Sequence, residues 1–320
     1  MREQAGSGVV VIGELNVDAV ATGLAQEPKL GLEIIAEDFQ MTLGSASAIF
    51  ACGVAKLGHE VTFVSKVGRD DFGDLCLEAL RGAGVETRHV LRDPSEKTGV
   101  TLALSTRRDR ALVTYLGAIS SLRYEDVRMS LLKGKSHLHL TSYFLQEGLR
   151  PSFARIFREA RAQGLTTSFD PNSDPTSSWG NDILEVLEHT DIFFLNRDEA
   201  LQLTRARDTR VALKALARRV PCAVVKLGAK GAAAVRGGRV ATAPGFKVDA
   251  LDTTGAGDTF AAGFVSARLE GLGLEESLRR GNACGALSTL KAGGTANQPD
   301  RAALERFLRA RTGRQNGRQA

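Results

Sequence analysis

Short apolar runs recur along this chain, and the stretches between them carry helical spacing. The runs are "VVVIGEL" (9–15), "VTFVSKVG" (61–68), "HLHLTS" (137–142), "TTSFDP" (166–171), "DIFFLN" (191–196) and "CAVVKLG" (222–228). "GSASAIFACGVAKLG", "DDFGDLCLEALRGAG", "RPSFARIFREARAQG" and "TRVALKALARRV" lie between or beside them, with apolar residues three and four apart. A strand buried on both faces reads as a continuous apolar run, and strands that alternate with helices build a parallel sheet covered on both sides. Ligands of such sheets sit beyond the carboxyl ends of the strands.

Two stretches break the rhythm. "ALSTRRDRALVTYLG" (103–117) reads as a hairpin with a charged turn at Arg107, Arg108 and Arg110, and "AVATGLAQEPKLGLEIIAEDF" (19–39) alternates without forming a good helix. Together they predict a small β-lid over the sheet edge, from about residues 19–40 and 98–118. After Gly255 the chain reads as helix to its end. The expected organisation is a flexible N-terminus over 1–8, one domain over 9–308 and a basic, disordered tail over 309–320.

Composition excludes several classes. No apolar stretch reaches the roughly 20 residues a membrane helix needs, and no signal-peptide core precedes the first strand. A cytoplasmic protein is expected. Cys52, Cys76, Cys222 and Cys284 lie far apart, which predicts buried free thiols rather than disulfides or a metal cluster. The formal charge of +5 owes much to Arg309, Arg311, Arg314 and Arg318 in the tail, so it predicts a solvated tail and no nucleic-acid partner. His137 and His139 share one strand face without an evident third ligand and read as a structural pair.

The segment "DTTGAGDTF" (252–260) carries the chemistry. Glycines at 255 and 257 free the backbone to turn N–H groups one way at the mouth of a helix, and a helix N-terminus attracts anions. Asp258 would repel a simple phosphate. It reads either as a helix N-cap or as a base that takes a proton from a hydroxyl while the pocket holds the phosphoryl group being attacked.

The whole string resembles the C-terminal signature of the ribokinase-like, PfkB-type carbohydrate kinases. "GELNVD" (13–18), "LGSASAIFACGVAKLG" (43–58), "NRDEA" (196–200) and "VVKLGAKGA" (224–232) resemble further segments of that family in the same order. The resemblance implies a three-layer α/β/α ribokinase-like fold with a mostly parallel sheet and a β-sheet lid, and ATP-dependent transfer to a hydroxyl of a sugar-like acceptor. It makes Asp258 the base and the N–H groups of Gly255, Ala256 and Gly257 the anion hole. Asn196 and Glu199 would organise Mg²⁺ through water, with a helix-capping pair as the other reading. Lys226, Gly228, Gly231, Thr253 and Asn282 would lie along ATP, although Asn282 also suits packing. Asp252 resembles the residue beside which many members bind a monovalent cation, K⁺ among them.

On the acceptor side the resemblance points to Asn16, Asp18, Gly44 and Ser45, while the position after the strand "HLHLTS" adds Tyr143 and Glu147, with Gln146 between them. Asp18 also reads as a turn residue, and Tyr115 as either a stacking or a lid-core residue. The family's second glycine and its substrate-touching asparagine are replaced by Ser45 and Ile49. With no basic cluster in this helix, an unphosphorylated acceptor is expected, and a nucleoside kinase or a silent regulator of the same fold is the alternative. Apolar lid strands of this kind imply a homodimer formed through the lid.

Overall fold

A computed structural model describes residues 8–106 and 110–316. Nine strands form the main sheet: β1 (Val9–Ile12), β4 (Val61–Gly68), β5 (Glu86–Asp93), β8 (His137–Thr141), β9 (Thr166–Asp170), β10 (Ile192–Asn196), β11 (Cys222–Lys226), β12 (Ala232–Arg236) and β13 (Arg239–Ala243). Their order is β13-β12-β11-β10-β9-β8-β1-β4-β5. Pairing is parallel from β11 through to β5, and antiparallel only at the β11–β12–β13 edge. β2 (Asn16–Leu24), β3 (Asp38–Leu43), β6 (Gly99–Thr106) and β7 (Arg110–Tyr115) form a separate sheet ordered β3-β2-β6-β7. That sheet is the expected lid, made from two separated pieces of chain.

The helices are α1 (Ala46–Lys56), α2 (Asp71–Gly82), α3 (Ala118–Ser121), α4 (Phe153–Ala162), α5 (Asp182–Glu188), α6 (Arg197–Thr204), α7 (Thr209–Leu216), α8 (Ala256–Leu269), α9 (Leu274–Ser288) and α10 (Arg301–Asn316). Strand side chains alternate between faces, so each run in the central strands feeds two cores. Val9, Val11, Phe63, Phe194 and Val224 pack with Phe50 of α1, Leu80 of α2, Phe260 and Phe264 of α8 and Leu278 of α9. Val10, Ile12, Leu138, Phe169, Phe193 and Val225 pack with Phe153 and Phe157 of α4, Ile183 of α5 and Leu213 of α7. Helices therefore cover both faces, which is why the sheet strands lack an exposed polar side.

Several expectations are corrected. α10 continues to Asn316, so part of the expected disordered tail is helical, and the Arg311 guanidinium donates to the Lys247 carbonyl (3.2 Å). Gly8 is buried, and its carbonyl accepts from the Ser136 amide (2.9 Å). Residues 1–7, Arg107 and Arg108 of the lid turn, Asp109, and 317–320 lie outside the described residues. All four cysteines are free and buried. His137 and His139 are buried, and both accept or donate at the Ser168 hydroxyl (2.7 Å each). Burial pushes the His137 pKa down to about 3, and among the described residues no group of three or more His, Cys, Asp or Glu side chains is placed to hold a metal. Among the described residues no helix is long and apolar enough to cross a membrane.

Candidate active site

Five adjacent parallel strands each present a polar residue at or just beyond their carboxyl ends. These are Glu14 after β1, Ser142 after β8, Asp170 on β9, Asn196 on β10 and Lys226 on β11. Helix α8 begins beside them. Its N-cap is Gly255 at φ 68°, in the left-handed region, with no side-chain cap hydrogen bond. Asp258 is therefore the third residue of the helix and not its cap. The Ala256 amide, expected in the anion hole, closes a turn onto the Thr253 carbonyl (3.2 Å). Gly255 and Gly257 remain the bare positions of the first turn. A side chain at Gly257 would meet the Lys226 ammonium, whose Nζ lies 3.2 Å from an added Cβ.

Lys226 donates to Asp170 Oδ2 (2.6 Å), and the carboxylate of the pair is almost wholly enclosed. Burial works against the ammonium, but the Asp170, Glu199 and Asp258 carboxylates outweigh it and hold its pKa above the ordinary lysine value. Asp258 is pushed the other way. Burial raises its pKa to about 7, Lys226 opposes the rise, and the Asp170, Glu14 and Glu199 charges add to it. Asp258 is half-buried in the first turn of α8. A carboxyl group poised near neutrality beside a helix N-terminus and a fixed ammonium can accept a proton from a hydroxyl at physiological pH.

Asn196 and Glu199 form a reciprocal capping box at α6. Glu199 N–H donates to Asn196 Oδ1 (2.9 Å), and Asn196 N–H donates to Glu199 Oε2 (2.7 Å). The Ser173 hydroxyl donates to the other Glu199 oxygen (3.0 Å). Burial, together with the Asp170 charge, raises the Glu199 pKa against the opposing pull of Lys226. The capping reading thus holds, and it leaves Glu199 and Asp170 as neighbouring hard oxygen donors. Such a pair suits a Mg²⁺ kept largely hydrated, with substrate phosphates completing its shell, rather than a cage of protein ligands.

Two buried carboxylates of this cluster, Glu14 and Asp170, escaped the sequence reading. Glu14 is buried and accepts from the Ser47 amide (3.1 Å) and from the Ser142 hydroxyl (2.7 Å), with burial raising its pKa. Asp170 ends the strand run "TTSFDP" and was visible only as a carboxylate at a strand's carboxyl end.

The nucleotide-side glycines divide. Gly231, at φ 98°, would put a Cβ 2.1 Å from the Ala243 carbonyl oxygen, so it is required for packing of that turn, whereas the space around Gly228 is open. Asn282 spends its amide on the carbonyls of Ala243 (3.0 Å) and Pro244 (3.2 Å), which is the packing role. Thr253 is exposed on the loop. Asp252 accepts from the Thr254 amide (2.9 Å) and from the Gly293 amide (2.8 Å), drawing the 252–257 loop onto the 291–294 turn.

Asn16, Asp18 and Gly44, expected on the acceptor side, come together on the lid. Asn16 Nδ2 donates to Asp18 Oδ1 (3.0 Å) and to Thr101 Oγ1 (3.2 Å), and an added Cβ on Gly44 would sit 2.2 Å from Asp18 Oδ1. Asp18 pairs in register with Thr42 on one side and Thr101 on the other, and Thr101 pairs with Thr114. One polar side chain from each lid strand therefore stands in a single row. Tyr115 pairs with Val100, one residue out of step, and so projects from the opposite face, 54% exposed. The stacking reading would need it on the row's face, and the lid-core reading would need it buried.

Ser45, Tyr143 and Gln146 make other contacts, and Glu147 faces solvent. The Ser45 hydroxyl caps α1, accepting from the Ala48 amide (3.1 Å) and donating to the Glu14 carbonyl (2.5 Å). Tyr143 is buried among Phe144, Phe153 and Phe169 and donates to Asp182 (2.9 Å). Gln146 is buried with its amide on the Thr141 carbonyl (2.6 Å), and Glu147 is exposed. Ile49 packs against the anion-hole loop, 3.0 Å from an added Cβ on Gly255.

Comparison with known proteins agrees with this geometry. The family model described as pfkB family carbohydrate kinase matches residues 7–301. The chain is 32% identical over 286 residues to a 2-dehydro-3-deoxygluconokinase of Bacillus subtilis, covering 85% of this chain and 88% of that protein. Its fold superposes on an E. coli protein solved in complex with ATP and Mg²⁺, at TM-score 0.84 and 27% identity over 94% of this chain and 99% of the other. It likewise superposes on an Arabidopsis thaliana ribokinase complexed with ribose and ATP, at TM-score 0.82 and 26% identity over 95% and 99%.

Proposed function

The chain belongs to the pfkB family of carbohydrate kinases, and from that premise we propose that it transfers the γ-phosphoryl group of ATP to a hydroxyl of an unphosphorylated sugar or sugar acid, with Asp258 as base. The observation that carries this reading is Asp258 in the first turn of a glycine-capped helix, beside the Lys226 ammonium.

Asp258 takes the proton of the acceptor hydroxyl as its oxygen forms a bond to the γ-phosphorus. The bond from that phosphorus to the oxygen bridging it to the β-phosphate breaks, and ADP leaves with the electron pair. The Gly255 and Gly257 backbone and Lys226 meet the negative charge of the transferring group, so the protein's work is positioning and charge neutralisation. Mg²⁺, held through water near Glu199 and Asp170, neutralises phosphate charge when bound. Asp252 and the turn at 291–294 are the groups for a monovalent cation beside the loop.

The acceptor lies against Asp18 and the threonine row. A carboxylate flanked by hydroxyls suits adjacent hydroxyl groups of a polyol, and the row itself holds no cation that a sugar phosphate would need. The relative named for 2-dehydro-3-deoxygluconate and the ribokinase solved with ribose support an unphosphorylated acceptor. Exposed Phe39, Leu102 and Val113, which share the lid face opposite the threonine row, support pairing of two lids in a homodimer.

The test is ADP release from MgATP across free sugars, sugar acids, sugar phosphates and nucleosides. Stimulation by a free sugar or sugar acid is the expected result. Stimulation by sugar phosphates or nucleosides alone overturns the acceptor class, and bound ATP without transfer to any acceptor identifies a regulator instead.

A further inference from the structure

The ammonium of Lys226 is surrounded by carboxylates that could each claim it: Asp170, Glu199 and Asp258 all act on it. Among the described residues only Asp170 is bonded to it, at 2.6 Å. The two residues are not on neighbouring strands. β10 lies between β11 and β9, so the pair spans two strand spacings, about 10 Å of sheet, over the end of β10. A lysine stem drawn out over that distance has few remaining rotamers, and its ammonium is brought to the bare face of Gly257.

Asp170 opens the turn "DPNS", and the turn is itself tied down at several points. Asn172, at φ 56°, donates from its side-chain amide to the hydroxyls of Ser142 (2.8 Å) and Thr141 (3.2 Å), and Ser142 in turn donates to Glu14. Ser173 donates to Glu199. One four-residue segment thus holds the phosphate-side ammonium, a carboxylate suited to Mg²⁺ and, through Ser142, the segment that leads into the acceptor strand β2.

We propose that Asp170 is a positioning residue that fixes the Lys226 ammonium against the anion hole, so that the γ-phosphate of the nucleotide meets a charge already in place. The inference rests on the kinase reading for its chemistry, but its readout is nucleotide binding. A charge-assisted contact to the γ-phosphate is present in ATP and absent in ADP. Calorimetric titration of the full chain with MgATP and MgADP then measures it directly, with no turnover required.

Lys226→Met should lower the preference for ATP over ADP by about tenfold. Asp170→Asn should lower it by a comparable or smaller factor. If Asp170 acts through Lys226, the double variant D170N/K226M falls no further than Lys226→Met, within about twofold. The double variant also removes both buried charges together, so it keeps the test open if one single variant fails to fold. Asp170→Glu, which keeps the charge and shifts it by one methylene, should show a partial loss. An unchanged ATP preference in Asp170→Asn, or losses that multiply in the double variant, overturns the proposal. Wild-type protein that binds MgATP with the expected preference but phosphorylates no acceptor would sink the kinase reading and leave this one standing.

Discussion

At the phosphate end of the cleft, Lys226, Asp170 and Glu199 are enclosed, and each is bonded within 3.0 Å to a residue on another element. At the proposed acceptor end, Asp18 stands on a four-stranded lid whose edge strand β7 leaves Leu112 at 55% and Val113 at 57% exposed. The first region is anchored on the carboxyl ends of five parallel strands in the middle of a nine-stranded sheet. The second is carried on an edge structure with water on much of its surface. The difference implies a division of labour: a fixed device for the phosphoryl group, common to any acceptor, and a compliant surface that selects the acceptor and closes over it.

Substitutions at the two ends should therefore differ in kind. Asp258→Asn should lower kcat by about 10²–10⁴ whichever acceptor is used, because it removes the base and leaves the cleft's shape intact. Steady-state rates on two acceptors check it; a loss confined to one acceptor would break the comparison. Gly257→Ala pushes a methyl group toward the Lys226 ammonium, and a displacement of that size at the reacting group should cost about tenfold or more in kcat with little change in acceptor KM.

At the acceptor end the effects should be smaller and selective. Thr101→Val keeps the shape of the row and removes one hydroxyl that Asn16 and Thr114 share. The expected result is a rise in acceptor KM of about three- to tenfold, with MgADP affinity unchanged by calorimetry. Val113→Ser on the lid face opposite the threonine row should alter folding stability by no more than about 0.5 kcal/mol in urea unfolding. Its effect should be on association, seen as a shift toward monomer in sedimentation if two lids pair.

The same contrast explains what could be read in the residues before any coordinates. The phosphate end is built largely from contiguous segments, "DTTGAGDTF" and "NRDEA", where a backbone conformation and a local pairing demand particular residues at fixed spacing. Those segments are legible. The parallel sheet was equally legible, since strands such as Val61–Gly68 coincide with apolar runs, and the lid was legible as the two stretches that break the pattern.

Long-range geometry was not legible. Asp170 acquires its meaning only because β9 and β11 flank β10, which no local spacing reveals. Tyr143 follows a central strand, as an acceptor residue would, yet its ring is drawn into an aromatic cluster that includes Phe153 of α4 and Phe169 of β9. Ser45 looked like a substrate contact because its position is one in related chains; here the hydroxyl is consumed in capping α1. The threonine row is made by register between four strands drawn from two distant segments, so its members look ordinary in sequence.

The central claim is that Asp258 works as a base whose carboxyl group is held near neutrality by its surroundings. Its protonated form cannot accept the acceptor's proton, so activity is full above its pKa and is lost as the pH falls through it. The most direct measurement is kcat against pH from 5.5 to 8.5, at saturating MgATP and acceptor. The account predicts a plateau at the alkaline side and an acid limb centred near pH 7, falling about tenfold per unit well below it, with no such limb in the residual rate of Asp258→Asn. A flat profile in the wild type, or the same limb in the variant, would contradict it.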